Sequence, residues 1–490
     1  MMTLANIASI VGGQLIGNDC EVKSMGIDSR NVSQNQLFIG FKGEHFDGNA
    51  YAVAAINQGA AAVLVNDADT KASPAIIVSD TRLALGKLAA NWRKQFNVPI
   101  VAVTGSNGKT TIKEMLVAIL NAATVKEDSP NVTKVHATIG NFNSDIGLPL
   151  TLLKMTDQHA YGVIEMGMNH LGEIDYLTNI TQPTVAVISN AGTAHIGQLG
   201  SRENIAKAKG EIFAGLAGNG IAVINADDDF AGYWKSLCST KKTLTFGLNK
   251  QADVFASFKE FDAFNQINLT TPSGAIRFEL HLLGKHNIYN ALAASACAVA
   301  LGVSNDNIAN GLSAMQAVKG RLQRKAGLNG AVLIDDTYNA NPDSMRAAID
   351  ALKTFATHTI FVMGDMGELG HEAAQMHGEI GAYAQQQHID QLMTFGDLSA
   401  LAAEQFNSHD QVSANHAQHF TNLDSLIATL KASMQPNVTV LVKGSRFMRM
   451  ERVVNAIELT PSLQESETLQ TVNQHTANKQ ANTKTSLGDE

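Results

Sequence analysis

The sequence predicts an α/β protein built from three domains, and two observations support this fold class. The chain has 490 residues, which corresponds to roughly three domains at about 150 residues each. Short apolar strands alternate with helical segments along most of the chain, as expected of βαβ units and doubly wound parallel sheets. Apolar residues make up 45% and charged residues 17% of the chain, so each domain can bury a sizeable core.

Charge and cysteine content exclude several classes of protein. Acidic residues outnumber basic ones by 45 to 36, a formal net charge of −9, which argues against sequence-independent binding of nucleic acids. Cys20, Cys238 and Cys297 form no CxxC pair, so neither a disulfide framework nor a zinc finger is indicated. The first basic residue, Lys23, follows the apolar stretch at 4–11, unlike a signal peptide, and no window has the roughly 18 apolar residues of a membrane span. We therefore expect a cytoplasmic protein without membrane insertion.

The first domain is predicted over residues 1–82 and the second over 83–315. In the first, three β-rich runs accompany an Ala-rich helical run, at 36–41, 60–65, 75–78 and 51–59. The second is introduced by an amphipathic helix and an apolar strand that suits a sheet covered on both faces. Its segments are a helix at 81–95, a strand at 98–103, a helix from 110, strands at 161–165 and 185–189, a helix from 203, a strand at 221–225, a β-rich stretch at 243–283 and a helix at 287–301.

The third domain is predicted over 316–459 and is followed by a polar tail at 460–490. Strands and helices alternate again, at 332–335, 343–355, 359–363, from 373, at 439–443, and in a last helix ending near 459. The tail is rich in Gln, Asn, Thr and Ser and contains no aromatic residue. Because such a segment cannot bury enough apolar surface to offset its ordering entropy, we expect it to be disordered.

The strongest motif is a phosphate-binding loop between the strand at 98–103 and the following helix. It consists of Gly105, Ser106, Asn107, Gly108, Lys109, Thr110 and Thr111. The glycines allow backbone N–H groups to converge on phosphate oxygens, and the helix N-terminus adds its dipole. Lys109 would bridge the terminal phosphates and the Thr110 hydroxyl would hold Mg²⁺. The full pattern has a glycine where this chain has Val103. The loop predicts an ATP or GTP site, but kinases, switches, motors and ligases all use one.

Further motifs resemble the Mur ligases of peptidoglycan synthesis over roughly residues 25–455. They are Gly140-Asn-Phe-Asn-Ser-Asp-Ile-Gly147, Glu165-Met-Gly-Met, Asn190-Ala-Gly-Thr-Ala-His195, Ala206-Lys-Ala-Lys209, Asn225-Ala-Asp-Asp, Gly284-Lys-His-Asn287-Ile-Tyr-Asn290, Gly320-Arg321, Asp335-Asp-Thr-Tyr-Asn-Ala-Asn-Pro342 and Val442-Lys443-Gly-Ser-Arg446. The resemblance implies a small α/β N-terminal domain that binds a UDP-linked substrate, a central doubly wound ATPase domain with the phosphate loop, and a C-terminal Rossmann-like domain. It also implies an ATP-dependent ligase that works through an acyl phosphate.

Within the family, three segments favour the member that joins D-alanyl-D-alanine to a UDP-linked muramoyl tripeptide. They are Asn141-Phe-Asn143, the run at 336–342, and Met363-Gly-Asp-Met-Gly-Glu-Leu-Gly370. The Asp-Asn-Pro-Arg run usual in the member that adds the third amino acid does not occur in the sequence. The expected substrates are ATP, UDP-N-acetylmuramoyl-tripeptide and D-alanyl-D-alanine, and we expect a monomer. The alternatives are a ligase that adds a single amino acid, either at the preceding step or as glutamate to a folate, and a non-catalytic nucleotide-binding regulator.

The resemblance also assigns the metal and catalytic residues. Glu165 and His195 would bind Mg²⁺, with two ions expected, and Lys209 would be carbamylated by CO₂ to become a carboxylate-like metal ligand. Carbamylation needs a neutral amine and therefore a lowered pKa for Lys209. Repulsion from Lys207 could lower it, although residues two apart on a helix point to different faces. Taken alone, a strand-end glutamate, an isolated histidine and a helix lysine are more often structural or solvated.

The remaining assignments concern the nucleotide and the UDP substrate. The resemblance places Asn287 and Asn290 near adenine and ribose, and Asp336 near ribose, whereas helix capping is the structural alternative for Asn287. Arg321 would be brought onto the ATP phosphates by domain closure. For the UDP-linked substrate it implicates Ser29, Arg30, Lys42, Asp47, Asn141 and Asn143. Each of the short N-terminal pieces could by itself be an ordinary turn.

Overall fold

The computed structural model describes residues 2–44, 46–124, 135–249, 251–261, 264–408 and 416–459. The chain divides into two units, 1–281 with 285–316 and 282–284 with 317–490. The predicted disordered tail at 460–490 lies outside the described residues. Among the helices that are described, none is long and apolar enough to cross a membrane.

The N-terminal part of the first unit contains a five-stranded sheet in the order β2-β7-β6-β5-β4. Only the β2–β7 pair is antiparallel, and β1 pairs with β3 separately. The elements are β1 Met2–Thr3, α1 Leu4–Val11, β2 Gln14–Ile16, β3 Glu21–Val22, β4 Ser24–Gly26, β5 Gln36–Ile39, α2 Ala52–Asn57, β6 Ala62–Val65, β7 Ala75–Ile77 and α3 Thr81–Arg93. The side chains of Thr3 and Asp80 cap α1 and α3 by accepting backbone N–H bonds, which stabilises each helix start.

The rest of the first unit is organised around a nine-stranded sheet in the order β16-β15-β14-β13-β12-β11-β8-β10-β9. Strands from β9 to β14 pair in parallel, and β15 and β16 add an antiparallel edge. The elements are β8 Ile100–Thr104, α4 Lys109–Thr124, β9 His136–Ala137, α5 Gly147–Leu152, β10 Gly162–Glu165, α6 Glu173–Thr181, β11 Val185–Ile188, α7 Ile196–Leu199, α8 Arg202–Gly210, β12 Ile221–Asn225, α9 Ala231–Leu237, β13 Lys242–Gly247, β14 Val254–Glu260, β15 Asn265–Thr271, β16 Gly274–Leu280, α10 Lys285–Ala300 and α11 Asn305–Ser313.

The second unit has a six-stranded sheet in the order β17-β18-β22-β19-β20-β21. All pairs are parallel except β17 with β18. The elements are β17 Gln323–Ala326, β18 Val332–Asp336, α12 Pro342–Leu352, β19 His358–Gly364, α13 Ala373–Gln386, β20 Gln391–Phe395, α14 Ala400–Asn407, β21 His416–Phe420, α15 Leu423–Ser433, β22 Val438–Lys443 and α16 Glu451–Ile457. Asn341 and Ser344 form a capping box at the start of α12, with Pro342 in the first turn, as helix N-termini favour.

Burial explains why the parallel strands are apolar throughout. Every residue of β8, β10 and β11 is buried, because helices cover both faces of a doubly wound sheet. One hydrophobic cluster runs continuously from α1 and β5, through α3, into β8 and β10. The N-terminal sheet and the nine-stranded sheet are therefore packed together by a shared core.

The α/β class is confirmed, and most predicted strands and helices occur within a few residues of their expected bounds. The apolar stretch at 4–11 forms α1, and one face of this helix packs in the core. Four elements between 391 and 433 were not predicted individually. The absence of the first glycine of the full phosphate-loop pattern, at Val103, also has a structural reason. β8 continues through this position, where Val103 is fully buried and lies opposite Glu165 and Val187 in the neighbouring strands.

Candidate active site

The phosphate loop requires glycine at two positions because of close neighbours. Gly105 and Gly108 have φ values of 151° and 86°, conformations that strain other residues. A Cβ on Gly105 would lie 1.8 Å from Ser189 Oγ, and one on Gly108 would lie 2.2 Å from Asn290 Oδ1. The loop therefore passes closely between the end of β11 and α10.

Residues following β11 hold the loop in place. The backbone N–H of Ser106 donates to the Asn190 carbonyl at 3.0 Å, and that of Asn107 donates to Asn190 Oδ1 at 3.0 Å. Ser189 Oγ donates to the Asn107 carbonyl at 2.5 Å, while Gly192 N–H donates to Ser106 Oγ at 3.0 Å. Because β11 is the parallel neighbour of β8, these contacts form at the carboxyl edge of the sheet, where ligands of open α/β sheets bind.

Lys109 begins α4 and bends back over the loop. Its Nζ donates to the carbonyl of Gly105 at 2.7 Å and lies 3.5 Å from that of Ser106. Thr110 and Thr111 follow in the first turn of α4. The ammonium group is thus held at the loop that the sequence predicts to bind phosphates.

Glu165 ends β10 and is 3% exposed. Its Oε2 accepts from the Thr110 hydroxyl at 2.9 Å, and its Oε1 accepts from Asn143 Nδ2 at 2.8 Å. Its backbone N–H donates to Thr138 Oγ1 at 3.0 Å. Within the described parts of the chain, the carboxylate makes no ion pair, so it is buried with neutral donors only.

A magnesium ion fits this arrangement. Carboxylate and hydroxyl oxygens are ligands that Mg²⁺ prefers, and a cation would compensate the buried charge of Glu165. The described residues contain no cluster of three or more His, Cys, Asp or Glu that could hold a metal. Thr110 and a modified Lys209 are the further ligands that the sequence predicts beside Glu165 and His195.

Lys209, near the end of α8, is 1% exposed. Burial holds the pKa of Lys209 well below its ordinary value, and the positive charge of Lys109 lowers it further. Lys207 is exposed and does not contribute to this shift. The repulsion that lowers the pKa of Lys209 comes from Lys109 of the phosphate loop. Both burial and the charge of Lys109 therefore disfavour the protonated form of the Lys209 amine.

His195 lies in the loop between β11 and α7 and has a φ of 66°, a conformation uncommon for residues other than glycine. Its carbonyl accepts from Leu199 N–H at 3.1 Å and Gln198 N–H at 3.2 Å. The same loop contains Asn190, which holds the phosphate loop. His195 is therefore placed in a loop that is hydrogen-bonded to the phosphate loop.

Asn287 and Asn290 lie in α10 and are each 5% exposed. Asn290 Nδ2 donates to Asn287 Oδ1 at 3.0 Å, and Asn290 is the residue that crowds Gly108. Tyr289, between them, donates to Asp227 Oδ2 at 2.9 Å. Its burial, with this hydrogen bond, raises the pKa of Tyr289.

In the second unit, the segment that contains Arg321 is hydrogen-bonded to the segment that contains Asp336. The Arg321 guanidinium is 4.2 Å from the ring centre of Tyr338, whose N–H donates to the Gly320 carbonyl at 3.1 Å. Asp336 accepts from Leu322 N–H at 3.2 Å and pairs with Lys443 at 2.7 Å. Lys443 was not predicted to have a role, although its motif was recognised.

The N-terminal candidates form turns. Asp28 pairs with Arg30 at 2.9 Å on the surface, and hydrogen bonds from Arg30 lower the pKa of Asp28 to about 2. Lys42 and Asp47 form an isolated antiparallel bridge, and Asp47 caps the short turn that follows by accepting from Asn49 N–H at 2.9 Å. The structure thus supports the turn interpretation, and a role for Ser29, Arg30, Lys42 and Asp47 in UDP binding stays a prediction.

Comparison with known proteins identifies the family. Residues 21–93 match the Mur ligase family catalytic domain, residues 103–298 the Mur ligase middle domain, and residues 320–446 the Mur ligase glutamate ligase domain. A Haemophilus influenzae protein named UDP-N-acetylmuramoyl-tripeptide–D-alanyl-D-alanine ligase is 38% identical over 466 residues, covering 93% of this chain and 98% of its own length. The chain belongs to the Mur ligase family.

Other relatives of this Mur ligase agree. A Bacillus subtilis protein of the same name is 36% identical over 470 residues, covering 94% of this chain and 99% of the relative. A MurF crystal structure from Acinetobacter baumannii has a TM-score of 0.84 at 35% identity, covering 92% of this chain and 97% of that one. MurF from Thermotoga maritima, solved in complex with ADP, has a TM-score of 0.78 at 28% identity, covering 89% and 97%.

Within the first unit, the structure brings together several residues predicted for this Mur ligase. Thr110, Glu165 and Asn143 form one hydrogen-bonded group. Asn143 was predicted to bind substrate, and in this structure its amide is bonded to Glu165. Asn141, two residues earlier, is exposed.

Sequence reasoning missed the residues that hold the loop and Glu165. Ser189 ends the strand predicted at 185–189 and Asn190 follows it, so their position at a strand end was an available signal. Thr138 follows β9, a two-residue strand too short to be found from periodicity.

Proposed function

We propose that this Mur ligase joins D-alanyl-D-alanine to the terminal carboxylate of UDP-N-acetylmuramoyl-tripeptide, producing UDP-N-acetylmuramoyl-pentapeptide, ADP and phosphate. The observation that carries the proposal is the phosphate loop beside the buried Glu165, whose carboxylate accepts from the Thr110 hydroxyl, in a chain similar over nearly its whole length to ligases of that name. Because the reaction consumes ATP and a soluble UDP-linked precursor, we place it in the cytoplasm, with the enzyme as a monomer.

The chemistry requires two anions to meet. A substrate carboxylate attacks the γ-phosphoryl group of ATP to form an acyl phosphate and ADP. The amine of D-alanyl-D-alanine then attacks the acyl carbon, and the tetrahedral intermediate expels phosphate. Such transfers depend on positioning and charge neutralisation more than on covalent catalysis.

In this proposal the phosphate loop binds ATP. The backbone of residues 105–111 surrounds the phosphates, and Lys109 neutralises the transferred group. Asn287 and Asn290 hold the adenosine part, with Asp336 at the ribose and Arg321 at the phosphates. The packing of Asn290 against Gly108 supports a link between the base and phosphate parts of the site.

Thr110, Glu165, His195 and carbamylated Lys209 would hold Mg²⁺, with two ions expected. When bound, Mg²⁺ neutralises phosphate charge and polarises the transferred phosphoryl group. Lys209 suits carbamylation because burial favours the neutral amine, which can attack CO₂ and lose a proton to give the carbamate. Asn143 orients Glu165 through its amide hydrogen bond.

We further propose domain bounds of 1–82 for the UDP-substrate domain, 83–315 for the ATP-binding domain and 316–459 for the C-terminal domain. Ser29, Arg30, Lys42, Asp47 and Asn141 are assigned to the UDP-linked substrate. Arg30 is well exposed on its turn, which suits a contact with a phosphate or carboxylate.

Phosphate release by the purified protein tests the function. The assay contains ATP, Mg²⁺ and UDP-N-acetylmuramoyl-tripeptide, with and without D-alanyl-D-alanine, and the product is identified by mass. Dipeptide-dependent release with a pentapeptide product is the expected result. Release with a single amino acid and the UDP-muramoyl dipeptide would assign the preceding step instead, and no release with any pair would favour a regulator.

A further inference from the structure

Lys113 is a buried cation that the proposed mechanism does not use. It lies in the second turn of α4 and is 3% exposed. Its Nζ donates to the Thr138 carbonyl at 2.8 Å and pairs with Glu114 at 2.5 Å, whose side chain is 37% exposed. Taking an ammonium group out of water is costly, whereas an apolar side chain would fill this position on a helix at no such cost.

The hydrogen bonds of Thr138 connect Lys113 to Glu165. The Thr138 carbonyl accepts from Lys113, and its hydroxyl accepts from the backbone N–H of Glu165 at 3.0 Å. Thr138 is 1% exposed, and its own N–H donates to the Val163 carbonyl in β10 at 3.1 Å. Thr138 is therefore fixed to β10 on one side and to α4 on the other.

These contacts close a ring around the metal-binding candidates. Thr110 and Lys113 are three residues apart in α4, so they share a face of the helix. Thr110 is hydrogen-bonded to the Glu165 carboxylate, and Lys113 reaches the Glu165 backbone through Thr138. The first turns of α4 are thereby attached to the end of β10 at two points, one through each of these side chains.

We propose that Lys113 is a positioning residue that, through Thr138, sets the geometry between Thr110 and Glu165 and so the affinity of the site for Mg²⁺. The inference rests on the proposed metal-binding role of Thr110 and Glu165. Groups that orient metal ligands without touching the metal commonly contribute about 10–100-fold to metal affinity. Lys113 does not contact substrate in this assignment.

Two substitutions test the connection from opposite ends. Lys113→Met removes the ammonium and keeps an unbranched side chain as far as Cε, while Thr138→Val removes only the hydroxyl that accepts from Glu165. Both should raise the Mg²⁺ concentration that half-activates phosphate release by about tenfold, with an unchanged KM for the UDP-linked substrate. The double variant should be little worse than the worse single one, because both act through one connection.

A thermal measurement provides a readout independent of turnover. ADP with Mg²⁺ raises the melting temperature of a protein that binds both. ADP with EDTA gives the rise in melting temperature that needs no metal. The difference between the two melting temperatures should shrink in Lys113→Met and Thr138→Val. Thr138→Ser, which keeps the hydroxyl, should restore the wild-type difference.

Glu114→Gln is the matched control, since it changes the exposed partner of Lys113 and leaves Thr138 untouched. Its Mg²⁺ dependence should match the wild type, and an equally large change would overturn the connection through Thr138. A lower melting temperature in Lys113→Met and Thr138→Val with wild-type Mg²⁺ dependence would reduce Lys113 to a structural role and overturn the inference. If Lys113→Met does not fold, the comparison of Thr138→Val with Thr138→Ser decides.

Absence of dipeptide-dependent release in the wild type would instead contradict the proposed function, while the thermal comparison still tests Lys113.

Discussion

The chemical properties of individual side chains at this site depend more on their surroundings than on their residue type. Lys109 is half-buried, and its Nζ donates to a carbonyl of the phosphate loop. Lys209 is fully enclosed, and its pKa falls because burial penalises the charged form and Lys109 repels it. The same residue type is thus placed in two different electrostatic environments, one of which disfavours the charged form of the amine.

Lys109→Ala should reduce ligase turnover by about a hundredfold or more, since it removes the positive charge at the transferred phosphoryl group. The fold should persist, because Lys109 is only partly buried. Phosphate release and the melting temperature check the two parts, with the exposed Lys207→Ala as control. Ligation at the wild-type rate would remove the phosphate-loop assignment.

Lys209→Met should abolish turnover and stabilise the unmodified protein at neutral pH. The folded state lowers the pKa of Lys209, whereas the unfolded chain keeps it near its ordinary value, so the unfolded state binds more protons between these two pKa values. Stability of the wild type therefore rises with pH across that window, and Lys209→Met removes the rise. Denaturant unfolding in CO₂-free buffer between neutral and alkaline pH measures it.

The matched control for this experiment is Lys207→Met, which should keep the pH dependence because Lys207 is exposed. A carbamate would also give a ¹³C signal from protein equilibrated with ¹³C-bicarbonate, and that signal should be lost in Lys209→Met. An unchanged signal, or full turnover in the variant, would contradict carbamylation of Lys209.

At the scale of elements, the site is formed where β8, β10 and β11 end beside the starts of α4 and α10. The parallel register places Val103 opposite Glu165 and Val187, so the three strands deliver their following residues to one edge. Gly108 allows α4 to begin against Asn290. Packing between these elements, rather than any one of them, defines the shape of the nucleotide site.

Gly108→Ala tests this packing. The new Cβ would lie 2.2 Å from Asn290 Oδ1, and the φ of 86° is unfavourable for alanine by about 1–2 kcal/mol. We expect a comparable loss in the free energy of unfolding and a weaker affinity for ADP, measured by denaturant unfolding and by calorimetry. Gly232→Ala in α9 is the control, since no atom lies within 4 Å of its new Cβ; equal effects in both variants would contradict the packing argument.

At the scale of the whole molecule, the candidate residues are divided between two units of the chain. The first contains the phosphate loop, Glu165 and Lys209, and the second contains Arg321 and Asp336. Within its unit, Arg321 is held over Tyr338 while Asp336 pairs with Lys443. The proposed reaction uses residues from both units, so turnover depends on the intact chain.

Arg321→Ala should lower kcat by about a hundredfold or more, because a guanidinium on transferring phosphates stabilises their developing charge. Steady-state phosphate release measures this, with Arg346→Ala as control because Arg346 forms an exposed pair with Glu379 in the same unit. A kcat equal to that of the control would exclude Arg321 from phosphate transfer.

The sequence by itself determined the α/β class, the phosphate loop and the family, because these follow from local patterns of apolar strands, glycines and short motifs. Only the tertiary structure decided the burial of Lys209 beside the charge of Lys109, the bond of Asn143 to Glu165 and the connection from Lys113 through Thr138. Burial and hydrogen bonding at these positions arise between segments far apart in the chain. No local pattern contains them, because desolvation and pairing depend on which elements pack together.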